Sequence, residues 1–297
     1  MGYFKSFYKT VGGNEGTLCH YPTRLDTYGC GCQHDCSYCY AKSLLAFRGL
    51  WNPENPEVVN LEDVRKVVTK IEPGTIVRLG GMTDCFQPLE LKKRATYQTI
   101  RMLNARRVGY LIVTKSHFVA DDEYMEIYDP ELAHFQITIT TLDDELSATY
   151  EKASVPSKRV EALLKLQKAG FDVAVRLSPI IEEYMDFDKL NSLGIQKAVV
   201  EFLRVNGWIK KWFTGIDYSR FKLKQGGYRF LRLDDKKRII SKLKIPEVSV
   251  CEDYMPHWKY WEVNVNPNRD DCCNLSKIKK EKKDENRGAE SLGSYSV

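Results

Sequence analysis

No stretch of this 297-residue chain approaches the roughly 20 consecutive apolar residues that span a bilayer. The N-terminus "MGYFKSFYKTVGGNEG" also lacks an apolar run of signal-peptide length. These absences argue against a helical membrane protein or an exported one; the expectation is a soluble, cytoplasmic protein with no membrane partner. Without an export signal, the nine cysteines read as metal ligands or reactive thiols rather than a disulfide framework. The tail "SKIKKEKKDENRGAESLGSYSV" has almost no apolar residues and is expected to be disordered over 277–297.

What is present begins with a 43% hydrophobic composition, enough for one barrel-sized domain or two ordinary ones. From about residue 60 a strand and helix pattern repeats. Asn60 and Asp63 start a helix that Val64, Val67, Val68 and Ile71 continue at helical spacing, and Gly74 ends it. Strands are expected at 75–81, 109–115, 134–141, 171–179 and 197–205, with helices between them, including about Leu89 to Arg106 and Pro156 to Gly170. A further strand near "RLDTYG" brings the number to six. Alternation of this kind predicts a parallel sheet wrapped by helices, and six units rather than eight predict a partial barrel.

Buried parallel strands usually read as continuous apolar runs, so polar interruptions carry information. Gln136, Thr138, Thr140, Arg176, Ser178 and Glu201 interrupt apolar strands at alternate positions, which predicts one helix-packed face and one face lining a polar cavity. Ligands of parallel α/β folds bind at the carboxyl ends of strands, placing Gly80 to Asp84, Thr114 to Ser116 and Ser178 to Pro179 around one mouth. The domain limits expected are an N-terminal extension over 1–24, the partial barrel over 25–205, and a C-terminal extension over 206–276, loop-rich over 247–276, before the tail.

Four cysteines crowd the segment "CGCQHDCSYC", Cys30, Cys32, Cys36 and Cys39. Four thiolates could close a structural zinc site, although the usual pair of separated C-x2-C knuckles is missing. Cys32, Cys36 and Cys39 alone form C-x3-C-x2-C, with the aromatic Tyr38 directly before the last cysteine. That loop resembles the cluster-binding loop of radical S-adenosylmethionine (radical SAM) enzymes. The likeness extends to the spore photoproduct lyase group through "GCGCQHDCSYCYA" (29–41), "GGMTDCFQPLE" (80–90), "TKS" (114–116), and the stretch from "TITTLDDEL" to "SVPSKRVEALLKLQKAGFDVAVRLSPII".

The resemblance implies a partial (β/α)6 barrel, a 4Fe-4S cluster held by Cys32, Cys36 and Cys39, and S-adenosylmethionine on the cluster's open iron. One electron delivered to the sulfonium would release a 5′-deoxyadenosyl radical that abstracts hydrogen from substrate, so an external electron donor such as flavodoxin or ferredoxin is implied. It further implies that Tyr38 lies near the adenine, that Gly80, Gly81 and Thr83 meet the methionine amino group, and that Lys115 holds the carboxylate. Thr140 and Ser178 would contact ribose or adenine. In the lyases a cysteine near this strand end is thought to return a hydrogen atom to the product; the matching position here is Gly81, and Cys85 stands as a relocated donor or a small packing residue. Cys30 reads as a non-ligand. Cys251, Cys272 and Cys273 are candidates for a second metal.

Between Val205 and Lys244 twelve Lys/Arg face three acids, interleaved with Trp208, Trp212, Phe213, Tyr218, Phe221, Tyr228 and Phe230. Basic side chains neutralise phosphates and aromatic faces stack bases, so a nucleic acid or nucleotide substrate is expected, with Lys210, Lys211, Arg220, Lys222 and Lys224 as phosphate contacts. The same composition suits a solvated helix pair with core aromatics. Three functions compete: hydrogen abstraction from a base or nucleotide for repair or modification, radical chemistry on a peptide or small metabolite with an auxiliary C-terminal cluster, and a non-catalytic zinc or iron-sulfur nucleic acid binding protein.

Overall fold

A computed structural model describes residues 8–10 and 19–275. The tail expected to be disordered lies outside these residues. The main sheet has eight strands: β1 Tyr8–Thr10, β2 Thr23–Leu25, β3 Ile76–Leu79, β4 Gly109–Thr114, β5 Ala133–Thr138, β6 Asp172–Ile180, β7 Lys197–Phe202 and β8 Glu247–Val250. Their order across the sheet equals their order in sequence. β1 pairs antiparallel with β2, and every later neighbour pairs parallel. Strand order that never reverses distinguishes a barrel-type sheet from a doubly wound one, and the open sheet here is the expected partial barrel.

All six expected strands form, and β1 and β8 add to them. β5 is buried at every position, as a strand covered on both faces must be. The helix Leu61–Val68 starts where expected, with the Asn60 side chain accepting from Glu62 N at 2.9 Å. Pro156 opens the helix Pro156–Lys168, using a first-turn position that needs no N–H donor. The helix expected from Leu89 to Arg106 is instead two pieces, Glu90–Lys93 and Ala95–Ala105, broken at Arg94 with φ 57°. The cause is Glu90, fully buried, whose carboxylate accepts from Thr96 N and Tyr97 N at 2.9 Å each and so caps the second piece.

Residues 247–276 read as a loop-rich segment from sequence, and the structure corrects this. Glu247–Val250 is strand β8, and Met255–Asn264 is a helix whose Trp261 is buried and donates to Glu252 Oε2 at 2.7 Å. "EVSV" is too short to show periodicity, and "MPHWKYWEVN" carries aromatics all round rather than one apolar stripe. Among the described residues no helix is long and apolar enough to cross a membrane.

Candidate active site at the strand ends

The carboxyl ends of β2 through β8 surround a cavity of about 300 Å³. Its wall includes Gly80 to Asp84 after β3, Thr114 and Lys115 from β4, Thr138 from β5, Ser178 from β6, Glu201 from β7, and Cys251 to Asp253 after β8. The cysteine loop enters from β2 and runs into the helix Tyr40–Phe47. Cys32, Cys36 and Cys39 all line the cavity. Cys39 is the helix N-cap, its sulfur accepting from Lys42 N at 3.4 Å.

The loop is fixed by backbone turns and from behind. Asp35 N donates to Cys32 O at 3.0 Å and Cys39 N to Cys36 O at 3.2 Å, while Ser37 N reaches Tyr150 O at 2.8 Å and Lys152 N reaches His34 O at 2.7 Å. Gln33 and Gln87 exchange roles across to the β3 segment: Gln33 N donates to Gln87 Oε1 at 2.9 Å, and Leu89 N donates to Gln33 Oε1 at 2.6 Å. Beneath the loop, Arg159 and Glu151 form a fully buried ion pair, and Tyr38 OH donates to the same Glu151 carboxylate. Arg159 also donates to Thr138 O at 3.0 Å, which joins the wall of the loop to β5.

Burial raises the Cys32 thiol to about 12 and the Cys36 thiol well above its ordinary value, with Lys115 pulling Cys36 the other way. Buried thiols with no cationic centre stay protonated, whereas a coordinated metal deprotonates them outright. Three convergent soft donors that are free of disulfides therefore fit an iron-sulfur cluster. Among the described residues no three Cys, His, Asp or Glu side chains converge on a single ion; a polynuclear cluster does not ask for that, because each thiolate takes its own iron.

Asp84 organises the next strand end. Its carboxylate accepts from Thr114 Oγ1 and Lys115 N, both at 2.7 Å, and lies 3.2 Å from His34 Nε2. Burial opposes its ionisation, but His34 and these donors prevail and hold it at about 2. Asp26, after β2, accepts from Gly81 N at 2.5 Å and Met82 N at 3.1 Å, and Thr83 Oγ1 donates to Tyr28 O at 2.6 Å. Gly80 has φ +79°, and a Cβ on it would stand 2.8 Å from Thr83 O; a Cβ on Gly81 would stand 2.5 Å from Arg24 Cδ. The turn therefore requires glycine at position 80, while a side chain at 81 would have to displace Arg24.

Of the residues singled out in sequence, Gly80, Gly81, Thr83, Lys115, Ser178 and the three loop cysteines share the cavity. Ser178 donates to Glu201 Oε2 at 2.7 Å. Tyr38 and Thr140 sit behind the wall: the Tyr38 ring lies 5.6 Å from Lys115 Nζ, and Thr140 Oγ1 lies 2.9 Å from Tyr150 OH. Cys85 is fully buried in the core and, like Cys30, is not among the cavity residues. Cys251, Cys272 and Cys273 are, and Cys19, unremarked in sequence, joins them. The Cys251 thiol is held down at about 7, first by a hydrogen bond from Cys272, with burial opposing and Arg176 assisting. Sequence reasoning also missed Asp84, His34, Glu151 and Arg159 as organisers; Arg176 and Glu201, flagged only as polar strand residues, form an ion pair at 2.5 Å.

The basic stretch proves heterogeneous. Arg220, Arg238 and Lys242 converge on Glu182, and Arg220 also pairs with Glu183 at 2.6 Å. Lys236 is buried on Glu252 at 2.6 Å. Phe213, Phe221 and Phe230 are core residues, while Trp208 is 41% exposed. The expected phosphate contact at Arg220 is thus already committed to carboxylates.

A family model described as the Radical SAM superfamily matches residues 27–190. An uncharacterized protein of Methanocaldococcus jannaschii is 28% identical over 176 residues, covering 58% of this chain and 65% of its own length. An uncharacterized protein of Acidianus two-tailed virus is 22% identical over 224 residues, covering 66% of this chain and 72% of its own length. Among solved structures, spore photoproduct lyase complexed with dinucleoside spore photoproduct aligns with a TM-score of 0.64 at 18% identity, over 84% of this chain and 80% of that one. A double mutant of that enzyme, with bound AdoMet and dinucleoside spore photoproduct, aligns with a TM-score of 0.60 at 18% identity, over 83% of this chain and 79% of that one. These two likenesses concern the fold. With the family match spanning more than half of the chain and the cysteine loop at the strand-end mouth, the protein belongs to the radical SAM superfamily, whose enzymes use a 4Fe-4S cluster and S-adenosylmethionine.

Proposed function

We propose that this radical SAM enzyme abstracts hydrogen from a nucleic acid base or nucleotide, to repair or modify it. In this reading Cys32, Cys36 and Cys39 hold the cluster, Lys115 meets the S-adenosylmethionine carboxylate, and Gly80, Gly81 and Thr83 present the turn that receives the amino group. Ser178, with Thr140 and Tyr38 behind it, belongs to the nucleoside side. When bound, the cluster supplies the single electron that splits the sulfonium. The chain's own contribution is to orient: Asp84 fixes the Lys115 backbone, and Asp26 fixes that of Gly81 and Met82. Cys85 is assigned to packing, because its sulfur lies under Gly80 at the level of the core.

The observation that carries the substrate reading is the helix Gly207–Trp212, which follows β7. Asn206, its N-cap, donates to Ser43 Oγ at 3.0 Å on the helix that leaves the cysteine loop, and Lys42 lies 5.0 Å from the Trp212 ring centroid. Trp208 and Trp212 are 5.2 Å apart, with Lys210 and Lys211 between them in sequence. Aromatic faces and ammonium groups beside the helix that leaves the cysteine loop suit bases and phosphates. Spore photoproduct lyase, with the same fold, is complexed with dinucleoside spore photoproduct in one of the aligned structures.

The test is anaerobic turnover with oligonucleotides deuterated at candidate positions, followed by mass measurement of deuterium in 5′-deoxyadenosine. Transfer from a base or sugar position supports the reading. No transfer, together with oligonucleotide binding that is absent or insensitive to salt, would overturn it. A second reading, a small zwitterionic metabolite, is favoured by the cavity's own charges, where Glu201 pairs with Arg176 and Arg204, and Arg204 with Asp253 at 3.3 Å.

A further inference from the structure

We propose that Cys19, Cys251, Cys272 and Cys273 form a second metal centre, a tetrathiolate site inside the barrel. The four thiols come from three places in the chain: the segment before β2, the residue after β8, and a turn beyond the helix Met255–Asn264. All four line the cavity that also holds the cluster loop. Seven of the nine cysteines therefore share one cavity, and these four stand apart from the C-x3-C-x2-C set in sequence.

The thiols interact with one another. Cys272 and Cys273 pack in one small buried cluster against Cys251 and Tyr21, and Cys19 lines the same stretch of cavity wall. No disulfide joins any of them. Proximate free thiols of this number are soft donors for the irons of a cluster.

The site is built rather than fortuitous. Asp271, buried, accepts from Cys273 N at 2.8 Å and from Leu275 N at 2.9 Å, which shapes the turn presenting both adjacent cysteines. The same carboxylate accepts from Tyr21 OH at 2.7 Å, so one side chain positions Cys272 and Cys273 and also holds the segment carrying Cys19. Asn274, at φ 49°, donates to Glu247 Oε2 at 2.7 Å, and its carbonyl accepts from Lys197 Nζ at 2.8 Å. Cys251 N donates to Val200 O at 2.8 Å, extending the β7–β8 ladder by one residue.

A plain apolar patch would also bury cysteines, and Leu111, Leu275, Val113 and Trp258 do pack around them. Such a patch has no use for guanidinium groups. Here Arg78 and Arg176 line the same cavity as the four thiols. Arg78 Nε is buried with no hydrogen-bond partner, a costly arrangement unless anionic sulfur stands nearby. Two adjacent cysteines bind one ion with difficulty, whereas each can serve a different iron of one cluster. As at the cysteine loop, no three of these side chains converge on a single ion among the described residues, so the centre is an iron-sulfur cluster rather than zinc.

The test uses the full chain purified anaerobically, with iron, zinc and acid-labile sulfide counted per chain. A C32A/C36A/C39A variant is expected to retain one centre of about four irons with sulfide. Adding C19A, C251A, C272A and C273A should bring the count to zero. In the converse variant, with only these four replaced, about four irons should remain with roughly half of the parent's cluster absorption, and that retained cluster also reports folding. Where the loop variant does not fold, wild-type protein provides the count: metal in excess of one four-iron cluster, lost on replacing Cys251 or Cys272 alone by serine. A folded C32A/C36A/C39A variant free of metal or carrying only zinc without sulfide, or metal that survives loss of all seven cysteines, would overturn the proposal. This test does not depend on the substrate, so it stands whether or not a nucleic acid is turned over.

Discussion

Two groups of thiols meet in one cavity, and the chain delivers them in opposite ways. Cys32, Cys36 and Cys39 lie within eight consecutive residues, and local turns place them before any distant contact is needed. Cys19, Cys251, Cys272 and Cys273 are brought together only by the sheet, through a strand at its far edge and a single carboxylate that reaches both termini of the barrel. The first group rests on a buried ion pair and the second is faced by arginines. A local motif can travel between folds as a unit, whereas a distributed one exists only once the whole sheet has formed.

The largest effect that sharpens this contrast is loss of a loop ligand. Replacing Cys32, Cys36 or Cys39 by alanine is expected to reduce S-adenosylmethionine cleavage to the uncatalysed background, measured as 5′-deoxyadenosine formed with dithionite. Cleavage that survives in any of the three would break the assignment. Next comes the support beneath the loop. Arg159→Met leaves Glu151 buried without its partner and should destabilise the protein by about 3–5 kcal/mol in urea denaturation, with the loop thiols becoming accessible to alkylation before Cys272 and Cys273 do.

Asp271→Asn should reverse that order of exposure. It removes one charged acceptor from a turn with three donors and should cost about 1–3 kcal/mol, with Cys272 and Cys273 alkylated faster and Cys32 and Cys36 unchanged. The smallest effect belongs to Glu182, which is remote from both groups. Arg238, Lys242 and Arg220 hold its carboxyl at about 2 against burial, compared with an ordinary 4.5. A depressed carboxylate contributes fully above 4.5, and the contribution disappears as pH falls toward 2. Screened by solvent, it amounts to about 1 kcal/mol. Glu182→Gln should therefore lower stability at pH 7 and flatten its decline between pH 4.5 and 2, as seen in thermal melts across that range.

What was legible in the sequence follows the same division. The six inner strands announced themselves as apolar runs between helical patterns, and the polar interruptions at Arg176, Ser178 and Glu201 foretold a lined cavity because strand faces alternate. The loop ligands were readable because their spacing is local. Cys19 was not, since nothing near it in sequence marks it; its partners lie more than 230 residues away. Nor was β8, whose four residues are too few to show a period and which owes its conformation to the open edge of β7. The positive charge of the stretch after Val205 was counted correctly, but a count cannot say that Glu182 had already gathered Arg220, Arg238 and Lys242. Tyr38 was expected near the adenine; what the sequence could not show is that its hydroxyl meets Glu151, a pairing across 113 residues.

The contact between Tyr21 and Asp271, 250 residues apart, has a consequence for the order of assembly. A ribosome makes the loop ligands early and the Cys272–Cys273 turn among the last described residues, so the interior of the sheet stays unplugged while most of the chain emerges. Bringing the two ends together closes a very long loop, whose entropic cost rises only slowly with length. The closure is therefore late in time yet tolerable in free energy. Cofactor delivery to the cysteine loop can then precede the closing of the barrel's interior, and truncation after the helix Met255–Asn264 would leave that interior open.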